Sequence, residues 1–379
     1  MACNPRTVII GAGLAGAAVA HFLDGPALVL EQGSQAGAEA SAQNAGMVRL
    51  LVEDPVERRL ALRGEARLRE LGEEGSRVTG AVHGLVHDPG ELDDAVAALR
   101  AAGHEVQSVD RAAAVAPVLA GAALRRAWYV PGARVADPHA LIQRLLAGAE
   151  LRRGVQVRSL IVESGRLVGL QTSQGPLHAE RVVLAAGAWA GALAATAGLH
   201  RPLFPVRRSL LLTTPHPLAR PEHPWCWLED LGLYLRPEAG RWLLSGCDER
   251  VEAAPQGPGS RGELDPDWRD QVGERLLATL PAIEEVGWSG GWTGLRTFAP
   301  DRRPLLGPDP ELPGLFWAAG LGGFGLTAHL AVGEAVAAWL GGAPPAWLRS
   351  EEVDPGRTMP RRWVIRPLGT HHGSRLVSG

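Results

Sequence analysis

Three glycines spaced Gly11-x-Gly13-x-x-Gly16 follow the apolar run Thr7-Val8-Ile9-Ile10, and residues of that type at that spacing can hold a phosphate. The first glycine turns the chain, the second lets a pyrophosphate approach the backbone, and the third lets a helix pack on a strand. Gly11, Gly13, Leu14, Ala15 and Gly16 are therefore expected along a phosphate chain, beneath the N–H groups and positive dipole end of a helix. Glu31 closes the next apolar run, Ala27-Leu28-Val29-Leu30, about 20 residues beyond the first glycine, with Gln32 behind it. A carboxylate there accepts both hydroxyls of a ribose and repels a 2′-phosphate.

That loop alone does not choose between FAD and NAD; the segments that follow it favour FAD. Ser41-Ala42-Gln43-Asn44-Ala45-Gly46-Met47 supplies small residues, a hydroxyl and an amide just past the ribose-binding strand. Ser41, Asn44, Ala45, Gly46 and Met47 are expected against a long cofactor. Near the other end, Gly320-Leu321-Gly322-Gly323-Phe324-Gly325 leads into a helix beginning at Leu326-Thr327. The N-terminus of such a helix suits negative charge on a reduced isoalloxazine, which puts Gly322, Gly323, Phe324, Gly325, Leu326 and Thr327 beside it. No second Gly-x-Gly-x-x-Gly marks a nicotinamide site.

These residues need particular elements to hold them. Strand, glycine turn, helix and second strand from Thr7 to Glu31 make a β-α-β unit, the start of an α/β, Rossmann-like domain. Val155 to Leu170 alternates as a hairpin, Arg181 to Gly187 reads as a buried strand, and Leu315 to Ala319 as another. Between them lie a charged helical stretch around Arg58 to Leu71, an amphipathic one at Leu92 to Ala101, and an insertion from Phe204 to Trp288. The insertion carries a strand at Arg208 to Thr213, a hairpin of Gly232 to Pro237 with Arg241 to Cys247, and a helix from Asp267 to Leu280. The expected organisation is a discontinuous FAD-binding domain (1–77, 138–203 and 289–343) interleaved with a mostly antiparallel β-sheet substrate domain (78–137 and 204–288). A loosely packed tail, 344–379, would follow.

Composition narrows the function classes. With 46% hydrophobic and 21% charged residues and a net charge of −3, the chain reads as a soluble globular protein with no broad basic face for nucleic acid. Cys3, Cys226 and Cys247 form neither a CxxC pair nor a disulfide framework, which suits a reducing cytoplasm. No His-Glu-x-x-His or Cys/His cluster signals a metal, and His371-His372 is read as solvated tail. The apolar stretch Val8 to Leu23 is explained by the glycine loop rather than by a signal peptide, and no other uninterrupted run approaches the ~20 residues of a membrane span. All 38 basic residues are arginine, so lysine chemistry is excluded, including a lysine that promotes reaction of a flavin with oxygen.

The blocks VIIGAGLAGAAVA, SAQNAGM, RVVLAAGAWA, GLRTFAPDRRPLLGP and LFWAAGLGGFGLTAHLAVGE, in that order from residue 7 to about 340, resemble the D-amino-acid oxidase-like FAD oxidoreductases. That group includes glycine oxidase, sarcosine oxidase and the D-amino-acid dehydrogenases. VRRSLLL, LGLYLRPEAG and GLRTF look most similar to members of the D-arginine dehydrogenase type. The resemblance implies that Val157 meets adenine and that Ala186, Gly187 and Trp189 lie along a non-covalent FAD. It further implies that Arg296 grips a substrate carboxylate, that Tyr234 hydrogen-bonds it, and that Arg208 approaches from the sheet.

Arginine's rigid fork suits that task independently. The alternatives are an ion pair of Arg296 with Asp301, Arg207 in place of Arg208 as the inward residue, and Tyr234 as packing. Members active on basic D-amino acids carry a histidine and a tyrosine where this chain has Met47 and Val48, and an acid whose nearest aligned residue here is His83. A neutral or apolar substrate side chain is the easier fit. The expected reaction moves a hydride from the Cα of an amino acid or N-substituted amino acid to flavin N5, leaving an imine that hydrolyses to an oxo acid. Electrons would then pass to a quinone or other carrier. The alternatives are an oxidase that reduces oxygen to peroxide and a non-catalytic flavin-binding protein.

Overall fold

The computed structural model describes residues 7–87 and 92–349. Cys3 and His371-His372 lie outside them, as does the expected tail apart from 344–349.

The first unit is a six-stranded sheet ordered 305–308, 315–319, 181–184, 7–10, 27–31 and 150–153. All neighbours are parallel except Leu305–Pro308, which runs antiparallel to Leu315–Ala319. Thr7–Ile10 and Ala27–Glu31 are buried throughout, as central parallel strands covered on both faces must be. The helices Leu14–Phe22, Pro55–Glu70 and Gly325–Leu340 pack together on this unit. The last of these explains an otherwise ambiguous stretch. Gly322–Leu340 is long and apolar enough to cross a membrane by length and composition, yet 67% of it is buried inside the protein as a core helix.

The second unit is a nine-stranded sheet. Its pairings are antiparallel except that of Trp225–Leu228 with Ala81–Leu85. The expected hairpin forms as Leu233–Glu238 and Arg241–Ser245. The expected helix runs over Pro266–Thr279, capped by the Asp265 side chain, and buries Val272 and Leu276. One boundary moves. Trp288–Phe298 pairs along its length with Phe204–Thr213, so residues 289–298 belong to this sheet rather than to the nucleotide-binding unit. That strand brings Arg296 in from the substrate side.

Helix Pro55–Glu70 starts where local chemistry requires. Asp54 caps it by accepting the amides of Val56 (2.9 Å) and Glu57 (3.0 Å), and Pro55 needs no donor at its first position. The same carboxylate accepts the Arg303 guanidinium at 3.0 and 2.6 Å, which ties the helix start to the loop after Phe298.

Candidate active site

A cleft of about 1250 Å³ runs between the two units. A small-molecule pocket is usually ~300–1,000 Å³, so this one has room for a long cofactor and a small substrate together.

Its nucleotide wall gathers the sequence-predicted residues. Gly11, Gly13, Leu14, Ala15, Glu31, Gln32, Ser41, Asn44, Ala45, Gly46, Met47, Val157, Ala186, Gly187 and Trp189 all line it, as do Gly322 to Thr327. Gly16 does not. A side chain at Gly16 would lie 2.0 Å from the Gly11 carbonyl, so this glycine sets the helix against the strand and does not face the cleft. Gly11 has φ +102 and sits where the ends of two strands meet.

Glu31 is 8% exposed, and its carboxylate accepts the amides of Ala12 (3.0 Å) and Gly33 (2.8 Å). Burial raises its pKa above the ordinary value, and those amides act against the rise. Ser41 Oγ accepts the Leu14 amide at 3.0 Å, which leaves its own O–H to donate. A strap closes over this wall: Ala253 to Gly257 line the cleft, Trp189 Nε1 donates to the Pro255 carbonyl (2.7 Å), and Glu39 accepts the amides of Gly259 (2.7 Å) and Ser260 (2.9 Å).

The other end is built by the nine-stranded sheet. Arg296 is 6% exposed and donates to the main-chain carbonyls of Gln43 and Leu295. Among the described residues no carboxylate forms an ion pair with it, and Asp301 is not its partner; Asp301 Oδ1 accepts the Arg303 amide at 3.1 Å. Burial, reinforced by Arg208 and opposed by Tyr234 and Asp248, pulls the Arg296 pKa down to about 10. Tyr234 lines the same end, 6% exposed, its pKa pushed up to about 12 by burial first and by Cys247.

Arg208, not Arg207, faces the cleft. Arg208 is held by Glu249, and its Nε is buried without a hydrogen-bond partner. Arg207 instead pairs with Glu252 (2.5 Å) and Thr293 (2.8 Å). Glu249 also takes Arg302, at 3.0 and 2.5 Å.

The sequence profile of the FAD dependent oxidoreductase family matches residues 6–339, which takes in both units and every residue placed above. The chain belongs to that family. Like other FAD dependent oxidoreductases, it uses FAD. It is similar to a glycine oxidase of Pseudomonas putida, 31% identical over 339 residues that cover 84% of this chain and 89% of that one. It also matches 4-methylaminobutanoate oxidase (formaldehyde-forming) of Paenarthrobacter nicotinovorans, at 31% over 207 residues, but covers only 25% of that longer enzyme. Among solved structures, the glycine oxidase of Geobacillus kaustophilus superposes with a TM-score of 0.77 at 26% identity, covering 97% of this chain and 99% of that one. The L-proline dehydrogenase of P. horikoshii shares the fold of this oxidoreductase, with a TM-score of 0.83 at 21% identity over 95% of this chain and 97% of that one.

Sequence reasoning missed an acid. His83 meets Glu229 at 2.7 Å, because the strands carrying His83 and Trp227 pair and Glu229 follows two residues later. Glu229 lines the cleft already paired to Arg49 at 2.6 Å, and the Arg49 guanidinium lies 4.3 Å over the Trp227 ring, which in turn lies 4.7 Å from Tyr234. Cys247, which by sequence lies far from the flavin-facing block, also lines the cleft, and burial holds its thiol pKa above the ordinary value.

Proposed function

We propose that this enzyme oxidises the carbon–nitrogen bond of a small amino acid or N-substituted amino acid held by its carboxylate. One observation carries the reading: Arg296 is a buried guanidinium on the cleft wall, among main-chain carbonyls and beside Tyr234, with no protein carboxylate paired to it among the described residues. A buried charge of that kind calls for an anionic partner, and a substrate carboxylate supplies one in the geometry the fork prefers.

The nucleotide wall suits FAD. Gly11 and Gly13 leave the backbone open to a pyrophosphate, the fixed Glu31 carboxylate would accept ribose hydroxyls, and Val157 would border the adenine. The start of helix Gly325–Leu340 would face the flavin ring, with Thr327 and Gly322 to Phe324 around it. When bound, FAD accepts the hydrogen and electron pair released from the substrate's Cα. The protein's own part is to orient that carbon with Arg296, Tyr234 and Arg208 and to exclude water. Neither Cys226 nor Cys247 lies in the flavin-facing block from Gly320 to Thr327, so non-covalent attachment is expected; acid precipitation should leave the yellow colour in the supernatant, and colour in the pellet would contradict this.

Trp227, Tyr234 and Met47 border the space available to a side chain. Glu229, the acid on that border, is already matched by Arg49, so an uncharged side chain fits better than a cationic one. The test is anaerobic bleaching of the flavin by a panel of D- and L-amino acids, sarcosine and proline analogues. Bleaching by small neutral members is the expected result, whereas a yellow protein that none of them bleaches would overturn the reading. The absence of lysine favours a carrier as electron acceptor. The glycine oxidases among the relatives favour a second reading, transfer to oxygen, and reoxidation within seconds of admitting air would decide for it.

A further inference from the structure

The cleft holds many carboxylates, and nearly all are occupied. Glu31 and Glu39 accept backbone amides, Asp54 caps a helix and holds Arg303, Glu229 holds Arg49, Glu249 holds Arg208 and Arg302, and Asp301 accepts the Arg303 amide. Glu57 differs. It lines the cleft half-buried on the first turn of helix Pro55–Glu70, and among the described residues its carboxylate accepts no hydrogen bond and forms no ion pair.

The groups facing it are Asp54 from its own helix start, Arg49 from the segment before, and Arg302 and Arg303 from the loop after Phe298. Two of these reach the substrate end through their own acids: Arg49 through Glu229, beside Trp227, and Arg302 through Glu249, which also holds Arg208. A carboxylate with open lone pairs on the cleft wall, among charges that run to the substrate end, is equipped to receive a proton.

We propose that Glu57 is the general base of the reaction, accepting the proton that the substrate's ammonium must lose before Cα can be oxidised. This rests on the proposed oxidation of an amine. The step balances simply. The N–H bond of R–CH(NH3+)–COO− breaks, its electrons stay on nitrogen, and the proton joins a Glu57 oxygen. The neutral amine then loses Cα–H with both bonding electrons to FAD, giving R–C(=NH2+)–COO−, which water converts to the oxo acid and ammonium. Glu57 returns its proton to solvent through the open cleft. Burial, reinforced by Asp54 and opposed by Arg49, Arg302 and Arg303, pushes the pKa of Glu57 up to about 7. It would be a carboxylate above that pH and an acid below it.

The holoenzyme's rate of anaerobic flavin reduction, measured against pH, tests the role. In the wild type the rate constant should rise through a limb near pH 7. In Glu57→Gln it should fall about 100-fold at pH 7, as general bases commonly contribute ~10²–10⁴-fold. The remaining limb should move up to the pKa of the substrate's own ammonium, so the deficit shrinks at high pH. Glu57→Asp should keep the lower limb at a reduced rate, and it serves as the readout if the glutamine variant does not fold. A limb near pH 7 that survives in Glu57→Gln would overturn the role of Glu57 alone. A wild-type enzyme that no amine bleaches would overturn the proposed reaction and this role with it.

Discussion

Replacing Arg296 by alanine is expected to lower kcat/KM for the best amine substrate by about 10²–10⁴-fold while leaving FAD bound. The magnitude follows from its fork. Each charge-assisted hydrogen bond to a carboxylate is worth ~1.5–3 kcal/mol, two of them ~3–6 kcal/mol, and each 1.4 kcal/mol is a factor of ten. Neither neighbouring arginine of the sheet can take over its whole task, because Arg208 is engaged by Glu249 and Arg207 points to Glu252 and Thr293. Lysine at 296 should restore only a small part, since an ammonium cannot present two parallel donors from the same stem. The comparison requires flavin content to be measured beside the rates, because Arg296 also holds the Gln43 carbonyl. A fully flavinated Arg296→Ala variant with kcat/KM within threefold of the wild type would exclude carboxylate capture by this residue.

The second large effect concerns the turn. Alanine at position 11 would have to adopt φ +102, with its Cβ 2.5 Å from the Ala185 carbonyl oxygen and 3.0 Å from the Ala185 carbonyl carbon. Both obstacles are backbone, so no rotamer relieves them. Forbidden φ and overpacking each cost on the order of 1–3 kcal/mol, so Gly11→Ala is expected to lose about 3 kcal/mol of stability and most of its flavin. Denaturant midpoint and flavin absorbance per chain measure the two losses. A yellow Gly11→Ala protein with an unchanged midpoint would show that the turn relaxes.

Local pattern made much of this protein legible. The first β-α-β unit, the 233–245 hairpin and the 266–279 helix each follow from residues adjacent in sequence, and the structure has all of them. What stayed hidden depended on distant pairing. Trp288–Phe298 reads alone as the approach to the nucleotide-binding unit, because its partner lies far upstream at Phe204–Thr213. Alternation along that partner strand says that Arg207 and Arg208 face opposite sides but not which side is inward; the neighbours Glu252 and Glu249 decide it. Glu229 was invisible for the same reason, since it reaches His83 only through a parallel pairing between segments that the sequence separates widely. Glu57 sits in a charged helical run that looks like solvated surface, and only the loop carrying Arg302 and Arg303 turns its position into part of a cleft.

The strap over the nucleotide wall turns cofactor loading into a question of chronology. Both of its latches, Glu39 and Trp189, precede Pro255 to Ser260 in the chain, so they are synthesised and waiting when the strap emerges. A chain that closes the strap before meeting FAD must reopen it to be loaded, and a loaded chain releases FAD only as often as the strap lifts. Residence of the cofactor then depends on how often that local opening occurs as well as on how tightly the wall beneath it binds.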